Sequence, residues 1–338
     1  GPAGRIERVR TLMAERGYDA IVVRDEANLR WLTGVKGVFD YTFEFPHAAF
    51  ITADQCLFHT DSRYLNSFEE NTAAGSPWVY DMDEGTIPGW VAGKIAANKC
   101  RVCAVEDDMQ INFYQGIQRG LEDRSVACML PLMHDDIRKM RAIKDAEEIE
   151  LMRHAQSITD TAFQHMLGFI KPGMTEKQVR NELENFMFAN GADSLAFGSI
   201  VASGPNTANP HAVPSDRVIE KGDFVLMDYG AGYCDYRSDM TRTVVMGEPT
   251  QEQLDLYALV RRTHEECVAA IHPGVEGNDI FKLSKKIIGD AGYGDYYNHG
   301  LGHGVGIDIH ELPNFNRGKN TLEVGSVITM EPGVYLPG

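Results

Sequence analysis

Residues 225–243, VLMDYGAGYCDYRSDMTRT, decide the reading of this chain, because they set Asp228 and Asp239 eleven residues apart across what reads as a β-hairpin. Phe224, Leu226 and Asp228 fall on one face and Val225, Met227 and Tyr229 on the other, the period of two expected of a strand. Gly230, Gly232 and the Cys234-Asp235 pair supply a turn or bulge, after which residues 240–246 run on as a second extended segment. Paired strands bring carboxylates that are distant in sequence to one place, and hard oxygen ligands arranged in this way suit a divalent ion. A lone Asp at a turn usually faces water, so the hairpin needs a second observation beside it.

That observation is a weak internal repeat. Gly222-Asp-Phe-Val-Leu-Met-Asp228 is echoed by Gly325-Ser-Val-Ile-Thr-Met-Glu331, and Ile170-Lys-Pro-Gly173 by Ile271-His-Pro-Gly274 at almost the same offset. Self-similarity of this kind implies two halves, each delivering a strand that ends in a carboxylate. A site on a pseudo-twofold axis between them would receive Asp228 from one half and Glu331 from the other. The run His299-Gly-Leu-Gly-His303 is a further candidate for the same site.

Upstream and around this core, helices are marked by their periods and caps. A long polar helix begins near Asp145, with Ile149, Met152, Ala155, Ile158 and Ala162 spaced for one buried face. Thr175-x-x-Gln178 and Thr250-x-x-Gln253 have capping-box form and open two more helices. Residues 5–16 place Ile6, Val9, Leu12 and Met13 at helical spacing before Gly17, and residues 20–23 form a short β-branched strand. A helix from Asn28, a hairpin over 48–52 and 55–60, a helix over 61–70 and alternations at 78–81 and 101–106 complete an α/β layer. A domain boundary falls near residues 132–136, giving an N-terminal domain over 1–133 and a second over 137–338. No catalytic cluster is visible in residues 1–131, so the first domain reads as accessory.

Composition narrows the function classes. A chain of 338 residues is long for one core. A formal net charge of −17 argues against a phosphate-backbone partner, so no nucleic acid is expected. No stretch approaches the roughly 20 apolar residues of a membrane span, and the first residues lack a signal-peptide core; a cytoplasmic location is the expectation. Cys100-Arg-Val-Cys103 has redox or zinc spacing, yet no second pair accompanies it, and it reads as part of a strand.

Taken together, Arg141-x-x-Lys144, Pro210-His211, Asp228, Ser238-Asp239-x-Thr-Arg-Thr, His299-x-x-x-His303, His310-Glu311 and Met330-Glu331-Pro332-Gly333 resemble the catalytic domain of the Xaa-Pro peptidases, the aminopeptidase P and prolidase group. The resemblance implies an α+β pita-bread catalytic domain, a curved antiparallel sheet with outer helices, preceded by a smaller α/β domain. It implies two divalent metals, manganese first and cobalt or zinc next, with Asp228 on one metal, Asp239 bridging, and His303 and Glu331 on the other. The family's fifth ligand, a bridging glutamate, lies after the Glu-Pro-Gly segment, beyond Gly338, so the C-terminal end reads as truncated. The glycines at 300, 302, 304 and 306 speak against a helix aligning both histidines, so the metal goes to His303, and His299 goes to the surrounding shell or pocket. Arg242 is expected to pair with Asp239.

The chemistry expected of such a site is hydrolysis, because two close metals acidify a bridging water and polarise a carbonyl. Glu331 would accept the proton and pass it on, while His211 and His310 would stabilise the tetrahedral intermediate. The implied reaction is cleavage of the bond preceding proline, as an Xaa-Pro aminopeptidase or alternatively as a dipeptidase, on substrates with proline second. A homodimer is the family expectation. Creatinase, methionine aminopeptidase, metal-dependent lyases and noncatalytic binding proteins share the fold and are the rival classes.

Overall fold

The computed structural model describes residues 1–39, 45–82, 85–315 and 318–338. The chain divides into two units, Gly1–Met140 and Arg141–Gly338.

In the first unit, helix α1 (Pro2–Arg16) stops at Gly17, whose φ of 72° is the left-handed conformation that glycine adopts at no steric cost. Strand β1 (Ala20–Val23) leads to α2 (Glu26–Thr33), capped by Asp25, whose side chain accepts from the Asn28 N–H at 2.9 Å. Strands β2 (Ala48–Thr52) and β3 (Cys56–His59) form the expected hairpin, followed by α3 (Leu65–Asn71), β4 (Val79–Asp81), α4 (Ile87–Ala97), β5 (Cys103–Ala104) and α5 (Ile111–Asp123). The sheet order is β4-β3-β2-β1-β5, with β5 and β4 joining in parallel. β1 is wholly buried, as a strand covered on both faces should be.

The extended run at 101–106 holds β5 and continues in parallel pairing with residues 129–133, through Cys103 N–H to Met129 O and Val105 N–H to Pro131 O, both 2.9 Å, while the Asp19 carboxylate takes the N–H groups of Arg101 and Val102 at 2.8 and 3.0 Å. One expectation shifts here. The helix expected from Asp61 starts only at Leu65, because Asp61 instead accepts from the Arg63 N–H in a tight turn. Cys100 and Cys103 are buried free thiols, pushed up by burial and thereby inert.

Helix α6 (Asp136–Arg141) runs across the division, and the second unit then repeats itself. Its first half holds α7 (Ala146–Phe169), α8 (Glu176–Ala189), β6 (Ser194–Leu195), β7 (Ile200–Ser203), β8 (Phe224–Tyr229), β9 (Ala231–Tyr233), β10 (Tyr236–Arg237) and β11 (Met240–Val245). Its second holds α9 (Gln251–Ala269), α10 (Gly277–Asp290), β12 (His303–Gly304) and β13 (Glu311–Asn314). Capping boxes open α7, α8 and α9, each satisfying two N–H groups that a helix start otherwise leaves orphaned. The repeat is visible in backbone bonds. Gly173 N–H to Ile219 O and Ile219 N–H to Met174 O, both 2.8 Å, recur as Gly274 N–H to Leu322 O and Leu322 N–H to Val275 O, again 2.8 Å. α8 and α10 have the same length of 14 residues.

α7 buries the expected face at Met152, Ala155, Ile158 and Ala162 and departs from it only at its start. Ile149 is half-buried, whereas Glu148 is buried because its carboxylate accepts from the Tyr236 hydroxyl at 2.5 Å and closes the capping box with Asp145. β8 alternates as its sequence does: Val225, Met227 and Tyr229 are fully buried in the core under α7 and α8, and Phe224, Leu226 and Asp228 lie on the opposite, partly open face. Its partner β11 pairs antiparallel from Met240↔Tyr229 to Val245↔Phe224. Between them the chain leaves one sheet for another at Gly230, where a Cβ would stand 1.8 Å from the Ser238 carbonyl oxygen, so only glycine fits. In the second half, residues 301–305 pair with 327–331, through Thr329 N–H to His303 O at 2.8 Å and Glu331 N–H to Leu301 O at 2.6 Å. Among the described residues, no helix is long and apolar enough to cross a membrane.

Candidate metal centre

Each half of the repeat brings acid groups to the same place. Asp228 is next to last on β8, opposite Thr241 on β11, whose hydroxyl hydrogen-bonds its carboxyl. Asp239 stands in the turn that enters β11, His303 opens β12, and Glu331 ends the strand segment opposite Leu301. His303 Nε2 lies 3.2 Å from both Asp239 Oδ2 and Glu331 Oε2. One ligating atom from each of Asp239, His303 and Glu331 falls within 4.8 Å of the others. Asp228 lies near enough for the charges of Asp239 and Glu331 to bear on its carboxyl.

The neighbours orient this set. His303 Nδ1 lies 2.8 Å from the Gly304 carbonyl, which only accepts, so Nδ1 carries hydrogen and Nε2 is presented to the carboxylates. Thr329 Oγ1 accepts from the His303 N–H at 3.1 Å and donates to Glu331 Oε2 at 2.8 Å. Asp228 Oδ1 is buried without a hydrogen-bond partner. A buried carboxylate oxygen lacking a donor is costly, and a cation is the group that satisfies it. Three carboxylates and one imidazole are also the donor set that hard divalent ions accept, so these residues fit such an ion.

The protonation pattern says the same. Burial, then the charges of Asp239 and Glu331, push the Asp228 carboxyl well up. Burial also raises Asp239, against the pull of the His303 hydrogen bond. Burial alone would lower His303, but hydrogen bonds to Asp239 and Glu331 carry its imidazole up to about 10. Burial would raise Glu331, and the His303 hydrogen bond and charge bring it below its ordinary value. Protons are thus held where positive charge is called for.

Of the other candidates, His310 is close: its ring centroid lies 4.1 Å from that of His303, and burial, then His303, keep it below the ordinary imidazole range. His211 is exposed on the loop after Pro210, near enough to bear on His310 electrostatically, and its N–H donates to Asn209 Oδ1. His299 Nε2 lies 2.9 Å from the Tyr335 hydroxyl, in the surrounding shell. Arg242 does not pair with Asp239 among the described residues. It sits opposite Met227 in the ladder, one residue out of step with Thr241 and Asp228, and its guanidinium donates to the Thr241 carbonyl. Tyr335, Thr241 and Thr329 are supporting residues that sequence reasoning missed. Thr241 and Thr329 stood inside the quoted Ser238–Thr243 motif and Gly325–Glu331 repeat without a role assigned to them, and the only signal for Tyr335 was its place four positions after Glu331.

Comparison with known proteins gives the family. Residues 150–338 match the model of metallopeptidase family M24, and residues 5–143 match the creatinase/prolidase N-terminal domain. An uncharacterized peptidase of Bacillus subtilis (strain 168) is 35% identical over 98% of this chain and 91% of its own. The structure of an Xaa-Pro dipeptidase from Bacillus anthracis superposes with a TM-score of 0.91 at 34% identity, covering 100% of this chain and 92% of that one. An X-Pro aminopeptidase from Thermotoga maritima MSB8 gives a TM-score of 0.86 at 30% identity, covering 99% and 91%. Two strands ending in acids, an imidazole between them and full-length likeness agree: the chain belongs to metallopeptidase family M24, with a creatinase/prolidase N-terminal domain ahead of the peptidase region.

Proposed function

We propose that this metallopeptidase hydrolyses the peptide bond preceding proline, in a site made by Asp228, Asp239, His303 and Glu331. The observation that carries the reading is the clustering of Asp239, His303 and Glu331, beside which Asp228 feels the charges of Asp239 and Glu331 and keeps a buried, unpartnered Oδ1. Proline preference is supported by relatives of both kinds, an Xaa-Pro dipeptidase and an X-Pro aminopeptidase. Two divalent ions, manganese first and cobalt or zinc next, are the proposed occupants, and Asp228, Asp239, His303 and Glu331 would hold them. When bound, they supply Lewis acidity and bring the acidity of water close to neutral pH.

The chain's own residues do the rest. Glu331, whose carboxyl His303 holds below its ordinary value, takes a proton from the water that adds to the carbonyl carbon and passes it to the proline nitrogen as the C–N bond breaks. His310, held as neutral imidazole, and His211 across from it donate hydrogen bonds to the developing oxyanion. Residues 1–133 are proposed as the accessory domain and 137–338 as the catalytic one, in a cytoplasmic homodimer. The test is a panel of Xaa-Pro dipeptides, Xaa-Pro-Yaa peptides and their alanine counterparts, given to metal-stripped protein reloaded with each ion. Cleavage of the longer peptides gives an aminopeptidase and cleavage of dipeptides alone a dipeptidase. No preference for proline in any of them overturns the proposal.

A further inference from the structure

Arg141 and Lys144 of the Arg141-x-x-Lys144 motif, and Glu311 next to His310, take no part in the chemistry above, yet the structure joins them. Arg141 Nη2 donates to Glu311 Oε2 at 2.7 Å and to Asp308 Oδ2 at 3.0 Å, and Lys144 Nζ donates to Glu311 Oε1 at 2.5 Å. The Asp308 N–H adds a fourth bond, to Glu311 Oε2 at 3.2 Å. The side chains of Arg141, Lys144 and Glu311 are 2%, 0% and 3% exposed, whereas that of Asp308 is 44% exposed. Two cations balance two carboxylates, and three of the four charges are out of water. Stability alone does not call for such a cluster, because apolar side chains of similar volume usually hold a core as well or better.

What the cluster holds is the loop between two histidines of the site. The loop closes over the Glu311 carboxylate so tightly that a Cβ on Gly306 would stand 2.3 Å from Glu311 Oε1. Arg237 fastens the same loop from its other side, N–H to Gly306 O at 2.9 Å and Nε to Ile307 O at 2.8 Å. His303 stands at one end and His310, adjacent to Glu311, at the other, with their rings 4.1 Å apart. The Lys144 N–H also donates to Gly325 O at 2.9 Å, at the start of the segment that ends in Glu331. One buried charge cluster therefore touches all three segments that carry His303, His310 and Glu331.

We propose that Arg141, Lys144 and Glu311 are positioning residues, a buried charge clamp that sets the His310 imidazole against His303. The catalytic consequence rests on the function proposed above for His310, and the geometric part does not. The experiment uses full-length protein in two variants, Glu311→Gln and the charge-free Arg141→Met/Lys144→Met/Glu311→Met. Thermal melting reports folding, and nitrogen-15 NMR of the histidine rings in metal-free protein reports the placement of His310. Steady-state kinetics on an Xaa-Pro peptide report the consequence. The clamp predicts that folded variants show shifted and broadened His310 ring signals, with kcat down about tenfold to a hundredfold, in line with a displacement of the order of 1 Å, and KM changed far less. Folded variants with wild-type His310 signals overturn the proposal, whatever their activity. If wild-type protein cleaves no Xaa-Pro peptide, the functional reading fails and the NMR comparison still decides the clamp. If the triple variant does not fold, Glu311→Gln decides alone.

Discussion

Glu176 offers a sharp test of the energetics, because its carboxylate is wholly buried at the first turn of α8 and is met only by donors. Oε2 accepts from Ser203 N–H at 2.6 Å and Ser203 Oγ at 2.7 Å, and Oε1 accepts from Ser215 N–H at 3.1 Å and Ser215 Oγ at 2.6 Å. Asn206 Nδ2 reaches both oxygens. Glu176→Gln keeps the shape but turns one oxygen into an NH2 that must face a backbone N–H. Hydroxyls can rotate to accept; a backbone N–H cannot. The unpaired N–H costs about 1–3 kcal/mol, and the remaining bonds fall from charge-assisted to neutral strength, which brings the total to roughly 3–5 kcal/mol. At about 2–4 °C per kcal/mol for a unit of this size, the melting temperature of the second unit should fall by roughly 10 °C. Calorimetry or circular dichroism melting measures this directly. A fall of less than about 3 °C would refute the argument that the carboxylate charge is what the site requires. Because Ser215 is four residues from His211, the surviving folded protein should also lose activity.

Three further outcomes are expected. Burial, against hydrogen bonds from the Arg24 and Asp25 N–H groups and Asn28, pushes the Glu106 carboxyl from 4.5 to about 7. The unfolded chain loses that proton near 4.5 and the folded one near 7, so the first unit should be most stable below 4.5 and lose about 3 kcal/mol as pH rises to 7. Urea unfolding at pH 5 and pH 8 checks this, and a Glu106→Gln variant that keeps the same pH slope would contradict it. Because His303 and Asp228 hold protons, manganese binding near pH 7 should release at least about one proton. Titration calorimetry giving the same heat in buffers of different ionisation enthalpy would count against that. Gly230→Ala places a Cβ 1.8 Å from a backbone oxygen, and an overall loss above about 4 kcal/mol is expected. A soluble variant melting like wild type would show that the crossing can relax.

The parts of the fold that were legible in the sequence are those set by local rules. The period of two in β8 survives because one face meets the core and Asp228 belongs to the other. The capping boxes at Asp145, Thr175 and Thr250 are short-range chemistry, and the repeat of Gly222–Asp228 in Gly325–Glu331 is a pattern of spacing. What was not legible depends on partners far along the chain. Glu148 displaces Ile149 from the buried face of α7 because Tyr236, 88 residues away, needs its oxygen. Asp19 takes up the N–H groups at the start of the β5 segment from 82 residues away. Arg242 turned from Asp239 because ladder register, invisible in a short motif, decides the face. The Arg141–Glu311 clamp spans 170 residues, and neither end announces the other.

The most direct test of the central claim compares wild-type full-length protein, stripped of metal and then reloaded with manganese, on an Xaa-Pro dipeptide and its Xaa-Ala counterpart. Stripping should abolish cleavage, and reloading should restore it on the proline substrate alone. Cleavage that persists without metal, or reloading that restores activity on alanine as readily as on proline, would contradict it.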